Sequence, residues 1–229
     1  MTKISIIIPV LNEAKAIART IATAREATDI EIVVVDGGSV DGTFEAVESL
    51  GVRILQTPPG RALQMNRGAR EATGEILLFL HGDTILPAEF DKSIRFALDK
   101  PKVVAGAFEL KIEGSTRGLR IVEKMVNWRS RHLEMPYGDQ GIFLSSKIFW
   151  QIGGFLEMPI MEDFELVRRL KGWGKIEIVP LPVVTSGRRW QKLGVWKTTL
   201  INQLVVIAYF LGVSPERLAQ WYRGQKKNS

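Results

Sequence analysis

Continuous apolar runs alternate with amphipathic segments along the first 80 residues. The runs are rich in β-branched residues, which is typical of strands buried on both faces. Four strands are expected, at residues 4–8 (ended by Pro9), 31–35, 52–55 and 76–80. Helical periodicity predicts helices at 14–27, 43–50 and 61–72. Strand and helix alternating at this spacing predict parallel βαβ units, and therefore an α/β sheet of the nucleotide-binding type.

The second half of the chain is less regular. Residues 103–110 alternate as a strand with one solvated face, and 142–144 form a short strand. Ile121, Met125 and Trp128 have helical spacing, which predicts a helix whose apolar face belongs to the core. A helix is expected after Ser145 or Ser146, another from residue 162, and a pair of strands within 176–185.

Composition narrows the function. The 229 residues are 45% apolar and contain no cysteine, which excludes disulfides, thiol nucleophiles and thiolate metal sites. The net charge of +6 is dispersed, and no zinc-finger or ribonucleoprotein motif accompanies it, so we expect no nucleic-acid partner. No secretory signal precedes residue 4, so the expected location is cytoplasmic. Gly-x-Gly-x-x-Gly and P-loop motifs are absent.

Three predicted strands end in polar clusters, at residues 9–13, 36–39 and 81–83. The carboxyl ends of parallel strands share one edge of a sheet, where α/β proteins bind ligands. At this edge, Asp83 is a candidate ligand for Mg²⁺ or Mn²⁺, because hard cations favour oxygen ligands. The alternatives are structural: Asp83 caps a helix opened by Pro87, and Asp36 belongs to a plain turn.

Two later segments also carry candidate chemistry. Glu162 and Asp163 begin a predicted helix, where acids either complement the helix dipole or present a general base to a substrate hydroxyl. Arg188 and Arg189 precede Trp190, which fits either a phosphate clamp with a stacking platform or an ordinary packed aromatic.

The order of these clusters resembles that of the family 2 glycosyltransferases of the GT-A fold, over residues 4–190. The motifs are Ser-Ile-Ile-Ile-Pro-Val-Leu-Asn-Glu at 5–13, Val-Asp-Gly-Gly-Ser-Val-Asp-Gly-Thr at 35–43, His-Gly-Asp at 81–83, Glu-Asp at 162–163 and Arg-Arg-Trp at 188–190. The resemblance implies a Rossmann-like, mostly parallel sheet flanked by helices. It also implies transfer of a single sugar, with inversion, from a nucleoside-diphosphate sugar, with UDP the family's usual nucleotide.

The resemblance also assigns roles to residues. Asp163 matches the catalytic base, with Glu162 beside it, and Asp83 matches the acid that binds a divalent metal, Mn²⁺ or Mg²⁺, on the donor diphosphate. The predicted donor nucleotide site comprises Pro9, Asn12, Glu13, Asp36, Gly38, Arg61, His81 and Gly82. The predicted diphosphate or acceptor contacts are Arg188, Arg189, Trp190 and Asp139.

Two motifs depart from the family pattern. His81 stands where the first acid of Asp-x-Asp is usual, and Ser186 and Gly187 replace the start of Gln-x-x-Arg-Trp. Two other functions stay open: a sugar nucleotidyltransferase, disfavoured because residues 9–13 lack its glycine-rich, arginine-containing loop, and a non-catalytic nucleotide-sugar-binding protein.

The tail is predicted to be a separate helical extension, over residues 191–229, after a transferase domain over 1–190. Its apolar run around 200–211 is too short to span a membrane, and Ser214 and Pro215 begin a last helix. The helix pair packs on the domain or on a second copy, or lies on the inner face of a membrane through 195–222, flanked by Trp and Tyr. A lipid-linked acceptor would fit the last alternative.

Overall fold

The computed structural model describes residues 1–227. Its first half contains β1 (Ile4–Val10), α1 (Ile17–Ala24), β2 (Ile30–Asp36), α2 (Thr43–Ser49), β3 (Arg53–Gln56), α3 (Arg61–Glu71) and β4 (Ile76–Phe79). The second half contains β5 (Thr84–Ile85), α4 (Phe90–Leu98), β6 (Val103–Ile112), α5 (Arg117–Leu133), a 3₁₀ turn (Gly138–Gln140), β7 (Ile142–Ser145), α6 (Ser146–Gln151), α7 (Glu162–Leu170) and β8 (Lys175–Thr185). The tail contains α8 (Arg188–Leu193), α9 (Val195–Phe210) and α10 (Pro215–Lys227).

The strands form one sheet in the order β3-β2-β1-β4-β7-β6-β8-β5. Strands β1 to β4 are mutually parallel, β6 is parallel to β8, and β7 and β5 run antiparallel to their neighbours. This confirms the predicted α/β class with a mostly parallel sheet flanked by helices. Alternate side chains of β1 enter two cores, so Ile6 and Ile8 pack with α1, α2 and α4, while Ile7 packs with α3 and α7.

Strand β1 continues past Pro9 to Val10, so the prediction that Pro9 ends it is wrong. The Leu80 N–H donates to the Ile7 carbonyl, which shows that odd-numbered residues of β1 face β4. The pairing between β1 and β4 ends at Ile7 and Phe79, so a proline at position 9, which has no N–H to donate, interrupts no residue pair of these two strands. On the other side, Pro9 stays in register with Val35 of β2.

Two predictions for the second half need correction. Residues 175–185 form one long strand, not a pair, and the chain bulges between Val179 and Pro182, where the pairing with β6 shifts. Helix α5 forms as predicted, but Ile121, Met125 and Trp128 are exposed. Leu119 and Val122 face the core instead. Helix α5 has apolar positions on two faces, and periodicity alone does not say which one is inward.

The tail packs against the start of α7. Val205 of α9 and Leu218 of α10 are buried with Met161 and Phe164, which flank the Glu162–Asp163 pair. No helix within residues 1–227 is long and apolar enough to cross a bilayer. The predicted boundary between residues 190 and 191 falls within α8, and Asn228 and Ser229 of the predicted extension lie outside the described residues.

Candidate active site

The loops that follow β1 and β2 are joined by hydrogen bonds. The Asn12 N–H donates to Ser39 Oγ at 2.9 Å, and the Asn12 Oδ1 accepts from the Val40 N–H at 3.0 Å. The Glu13 N–H donates to Thr43 Oγ1 at 2.8 Å. Two of the polar strand ends therefore form one connected edge, as expected for neighbouring parallel strands.

Asp36 is almost fully buried at this edge and orders its own loop. Its Oδ2 accepts from the backbone N–H groups of Gly38 and Ser39, each at 3.0 Å, and its Oδ1 accepts from the Ser39 hydroxyl. Gly38 has φ of +90°, a conformation that favours glycine. The sequence predicted both residues at the donor nucleotide, and in the structure they shape the loop that follows β2.

Gln64 was not singled out from the sequence, although it ties the same edge together. Its buried amide donates to the Val10 carbonyl at 2.8 Å and to the Val35 carbonyl at 2.7 Å, where β1 and β2 end. Gln64 thereby holds the first turn of α3, which begins at Arg61, against the sheet. The signal available in the sequence was a glutamine beside the apolar positions Ala62 and Met65 of a predicted helix.

Arg188 joins the third polar cluster to the first. One guanidinium nitrogen, Nη2, lies 2.6 Å from Glu13 Oε2 and 2.9 Å from Asp83 Oδ2. Burial raises the pKa of Glu13, Arg188 opposes that shift, and the nearby Asp83 charge adds to it. The helix that follows Asp83 starts only at Phe90, so Asp83 does not cap it. Sequence reasoning named all three residues but not this contact.

Gly82 is buried between Glu13 and Asp83 and has a packing role. A Cβ at this position would lie 2.9 Å from Val10 Cγ1, and its carbonyl accepts from Thr20 Oγ1 at 3.0 Å. The small residue lets the β4 loop lie against the end of β1.

Arg61, His81, Gly138 and Asp163 line one small cavity at the carboxyl end of β4. The Asp163 Oδ2 accepts from the Gly138 N–H at 2.6 Å, and its Oδ1 accepts from the Phe164 N–H at 2.7 Å. The carboxylate is therefore oriented by two backbone donors. A Cβ on Gly138 would lie 3.0 Å from Asp163 Oδ2 and 3.1 Å from His81 Nε2, so these two side chains converge there.

Arg61 lies among three acids, the buried Glu162 and the half-buried Asp139 and Asp163. Its Nη1 lies 3.4 Å from Oε1 of the buried Glu162, whose pKa is raised by burial and by Asp163 and lowered by Arg61. Burial also raises the pKa of Asp139 to about 6, against the opposing charge of Arg129. The Asp139 Oδ1 is buried and has no hydrogen-bond partner among the described residues, so it is available to a ligand.

The arginines and tryptophan of the 188–190 motif lie in different surroundings. Arg189 stacks on Tyr222 of α10, with its guanidinium carbon 4.3 Å from the ring centre, and burial lowers its pKa, as does Arg61. Trp190 packs against the apolar cluster beneath α5, as in the alternative that made it an ordinary packed aromatic. A larger concave surface lies where β4 begins and β7 ends, and no predicted site residue lines it.

The carboxylates of this site suit a divalent cation only when a bound substrate supplies further oxygen atoms to it. Within residues 1–227 no three His, Asp or Glu side chains are grouped as a complete metal site. Mg²⁺ and similar ions are commonly held by one or two carboxylates together with substrate phosphates. Asp83 and Glu13 supply such a pair, because both of their carboxylates contact the same arginine nitrogen.

The His81 imidazole makes stability depend on pH. Burial lowers its pKa to about 3, with a contribution from Arg61, whereas an imidazole in the unfolded chain titrates near 6.5. Between these values the unfolded chain binds more protons, so each pH unit of acidification costs about 1.4 kcal/mol of folding free energy. We expect His81→Gln to lose this dependence in urea unfolding measured from pH 7 to pH 4.

The His81→Gln variant is compared with wild type because Asp139 changes stability with pH in the direction opposite to His81, and it does so equally in both proteins. The pKa of Asp139 is raised to about 6 in the folded protein. Asp139 therefore lowers the folding stability as the pH rises from the pKa of this carboxyl in the unfolded chain to about 6. His132→Gln, on the exposed side of α5, is the matched control and should keep the wild-type dependence. Parallel pH curves for wild type and His81→Gln would contradict the prediction.

Two solved structures illustrate the similarity of the fold. The mannosyltransferase PcManGT of Pyrobaculum calidifontis, in complex with GDP-Man and Mn²⁺, matches with a TM-score of 0.62 and 22% identity, covering 80% of this chain and 56% of that one. TarS 1-349 of S. aureus, in complex with UDP, matches with a TM-score of 0.66 and 19% identity, covering 80% and 60%. The fold is therefore that of the GT-A glycosyltransferases, as predicted.

Sequence comparison identifies the family. The model of glycosyl transferase family 2 matches residues 5–153, and the chain belongs to this family. Validoxylamine A glucosyltransferase of Streptomyces hygroscopicus is 28% identical, over 82% of this chain and 54% of that protein. The PGL/p-HBAD biosynthesis glycosyltransferase of Mycobacterium tuberculosis is 41% identical over 91 residues, 36% of each chain. The matches span less than two thirds of each of these relatives.

Proposed function

We propose that the protein transfers one sugar from a nucleoside-diphosphate sugar to an acceptor hydroxyl, with inversion at the anomeric carbon. The observation that carries the proposal is the Asp163 carboxylate, held by the Gly138 and Phe164 N–H groups in a cavity at the same sheet edge as the Glu13–Arg188–Asp83 cluster. One edge thus offers an oriented base and a group of charges suited to a diphosphate.

Asp163 acts as the general base. A hydroxyl is a poor nucleophile at neutral pH, so its proton passes to a carboxylate oxygen of Asp163 as the acceptor oxygen attacks the anomeric carbon. The bond from that carbon to the diphosphate oxygen breaks, and its electron pair leaves with the nucleoside diphosphate. Each Asp163 oxygen accepts one backbone hydrogen bond and keeps a second lone pair for the proton.

The side chains around Asp163 position the substrates. The neutral imidazole of His81 lies beside it and offers one donor and one acceptor to a sugar hydroxyl. The unpartnered oxygen of Asp139 is assigned to a hydroxyl of the acceptor, and Glu162 with Arg61 holds the wall of the cavity. Arg189 supplies a positive charge close enough to interact with Asp139.

The donor site is assigned to the connected edge formed by Pro9, Asn12, Glu13 and Asp36. GDP-Man and UDP are bound by the two structural neighbours, and for this chain we propose a UDP-linked sugar. Asp83 and Glu13 would hold Mn²⁺ or Mg²⁺, which, when bound, offsets the negative charge of the leaving diphosphate. Arg188 contacts the same carboxylates and offers that charge a second partner.

The first experiment is a thermal-unfolding panel with UDP, GDP, dTDP and CDP, each with Mn²⁺, Mg²⁺ or a chelator. A ligand at about a hundred times its dissociation constant adds about 2.7 kcal/mol of stability. We expect UDP to shift the transition in the presence of metal and Asp83→Asn to lose that shift. Asp99→Asn, an exposed acid at the end of α4, is the matched control.

The outcomes separate the candidate functions. No shift with any nucleoside diphosphate would overturn the donor site. Release of UDP from the sugar nucleotide in the presence of an acceptor supports transfer, whereas a sugar nucleotidyltransferase would consume a nucleoside triphosphate and release pyrophosphate. Nucleotide binding with no turnover for any acceptor tested would favour the non-catalytic alternative. The family match already favours the transferase.

A further inference from the structure

Helix α9 is apolar around most of its circumference, but only one side of it is covered. Ile201 and Val205 face the protein and are buried. On the opposite side, large apolar residues recur at helical spacing and are exposed; Trp196, Leu200 and Ile207 keep 61%, 60% and 53% of their surface. Leu204 lies between Leu200 and Ile207 and is also exposed. A helix with this composition is normally enclosed on all sides, so this face is open to a further partner.

Helix α5 adds a second apolar face beside the first. Its exposed residues Ile121, Met125 and Trp128 follow one another at i, i+4 and i+7 and therefore share one side of the helix. The two helices touch where Val195, at the start of α9, lies over Gly118: a Cβ on Gly118 would be 3.2 Å from Val195 Cγ1. We name the two faces together the α5–α9 surface.

The exposed charged side chains of α5, α8 and α9 are of one sign. The exposed side chains include Arg117 and Lys124 on α5, Lys192 on α8 and Lys197 on α9. The sequences of these three helices contain one acidic residue, Glu123. Glu123 is buried, accepts from the Ile112 N–H and pairs with Arg120. The surface therefore presents apolar and cationic groups without an exposed carboxylate on these helices.

We infer that the α5–α9 surface binds a lipid bilayer containing anionic headgroups, with α5 and α9 lying in the plane of the interface. Apolar side chains would enter the acyl boundary, the indoles of Trp128 and Trp196 would lie at headgroup level, and the Lys and Arg side chains would contact lipid phosphates. This binding needs neither donor nor acceptor and stands independently of the proposed reaction.

A second copy of the chain fits the surface less well. In a two-fold symmetric contact the same patch meets itself, so Lys124 and Lys197 of one copy would approach the same cationic patch of the other. No exposed acid of α5, α8 or α9 is available to balance them. An anionic bilayer supplies the missing charge of the opposite sign, and exposed apolar side chains of a helix can enter it without a matching groove.

The test is flotation of the full chain with vesicles of phosphatidylcholine, alone or mixed with phosphatidylglycerol. We expect binding to the mixed vesicles and much less to the neutral ones. Leu200→Glu removes a large apolar side chain from the interface and should weaken binding by at least about tenfold. Lys124→Gln and Lys197→Gln should each weaken it by about fivefold, with little effect on neutral vesicles.

The control variant is Phe96→Glu. Phe96 is 68% exposed on α4, outside the α5–α9 surface, so this variant should bind as wild type does. Thermal unfolding of each variant checks that the fold is intact. Failure of the wild-type chain to float with either vesicle would overturn the inference, as would equal flotation of Leu200→Glu. A dimer seen in sedimentation, dissociated by Leu200→Glu and accompanied by no vesicle binding, would assign the surface to a second copy.

Discussion

Replacement of Asp163 by asparagine is expected to lower kcat by about 10²–10⁴-fold, the contribution typical of a positioned general base. The amide is almost the same size, and it can accept from either the Gly138 or the Phe164 N–H but not from both. The variant therefore loses about one hydrogen bond, at roughly 1 kcal/mol, and should remain folded. The measurement is sugar transfer under saturating donor, with nucleotide binding followed separately by thermal shift.

Glu162→Gln is the matched comparison because the two acids are adjacent in sequence. Glu162 is buried against Arg61, so neutralising it changes the electrostatics of the cavity wall but leaves the oriented carboxylate in place. We expect it to retain far more activity than Asp163→Asn. Turnover close to that of wild type in Asp163→Asn would remove Asp163 from the role of base.

Substitution of alanine for Gly187 is expected to cost about 3 kcal/mol of folding free energy, at the upper end of ordinary overpacking. A Cβ at this position would lie 2.1 Å from the Glu113 carbonyl oxygen, which is backbone and cannot move aside alone. Gly187 immediately precedes α8, so displacement there also moves Arg188 away from Glu13 and Asp83. Urea unfolding and the nucleotide-dependent thermal shift should both be reduced.

Gly224→Ala provides the control for this change. Gly224 lies in α10, and a Cβ added to it would meet no other described atom within 4 Å beyond its chain neighbours and the backbone of its own helix, so alanine should be neutral or slightly stabilising there. Wild-type stability in Gly187→Ala would show that the 113–116 loop yields readily. A loss of stability with an unchanged nucleotide shift would separate α8 from the donor site.

The sheet edge was predictable because parallel strands place their carboxyl ends together. Three polar clusters in sequence therefore implied one site in space, and Glu13 and Asp83 do contact the same arginine. The arginine itself is 105 residues from Asp83, so no local pattern could pair them. The same holds for Asp163 and Gly138, whose contact depends on how α7 packs against the loop before β7.

Other features were invisible because they depend on which of two similar alternatives the fold selects. Helix α5 carries Leu119 and Val122 on one side and Ile121 and Met125 on another, and burial distinguishes them only when β6 and α9 are in place. The glycine at position 187 acquires a reason only in the structure, where the Glu113 carbonyl approaches too closely for any side chain.

Because Arg188 contacts both Glu13 and Asp83 and lies at the start of α8, it would couple a cation at these carboxylates to any partner bound by the tail. A cation that takes oxygens of Glu13 and Asp83 must compete with the guanidinium, and a released Arg188 loosens the junction between the sheet edge and the helices of the tail. Linkage is reciprocal. If a partner that moves α8 changes the affinity for the cation by some factor, the cation changes the affinity for that partner by the same factor. Binding of a partner to the tail and binding of the cation would then each alter the affinity for the other through the Arg188 side chain.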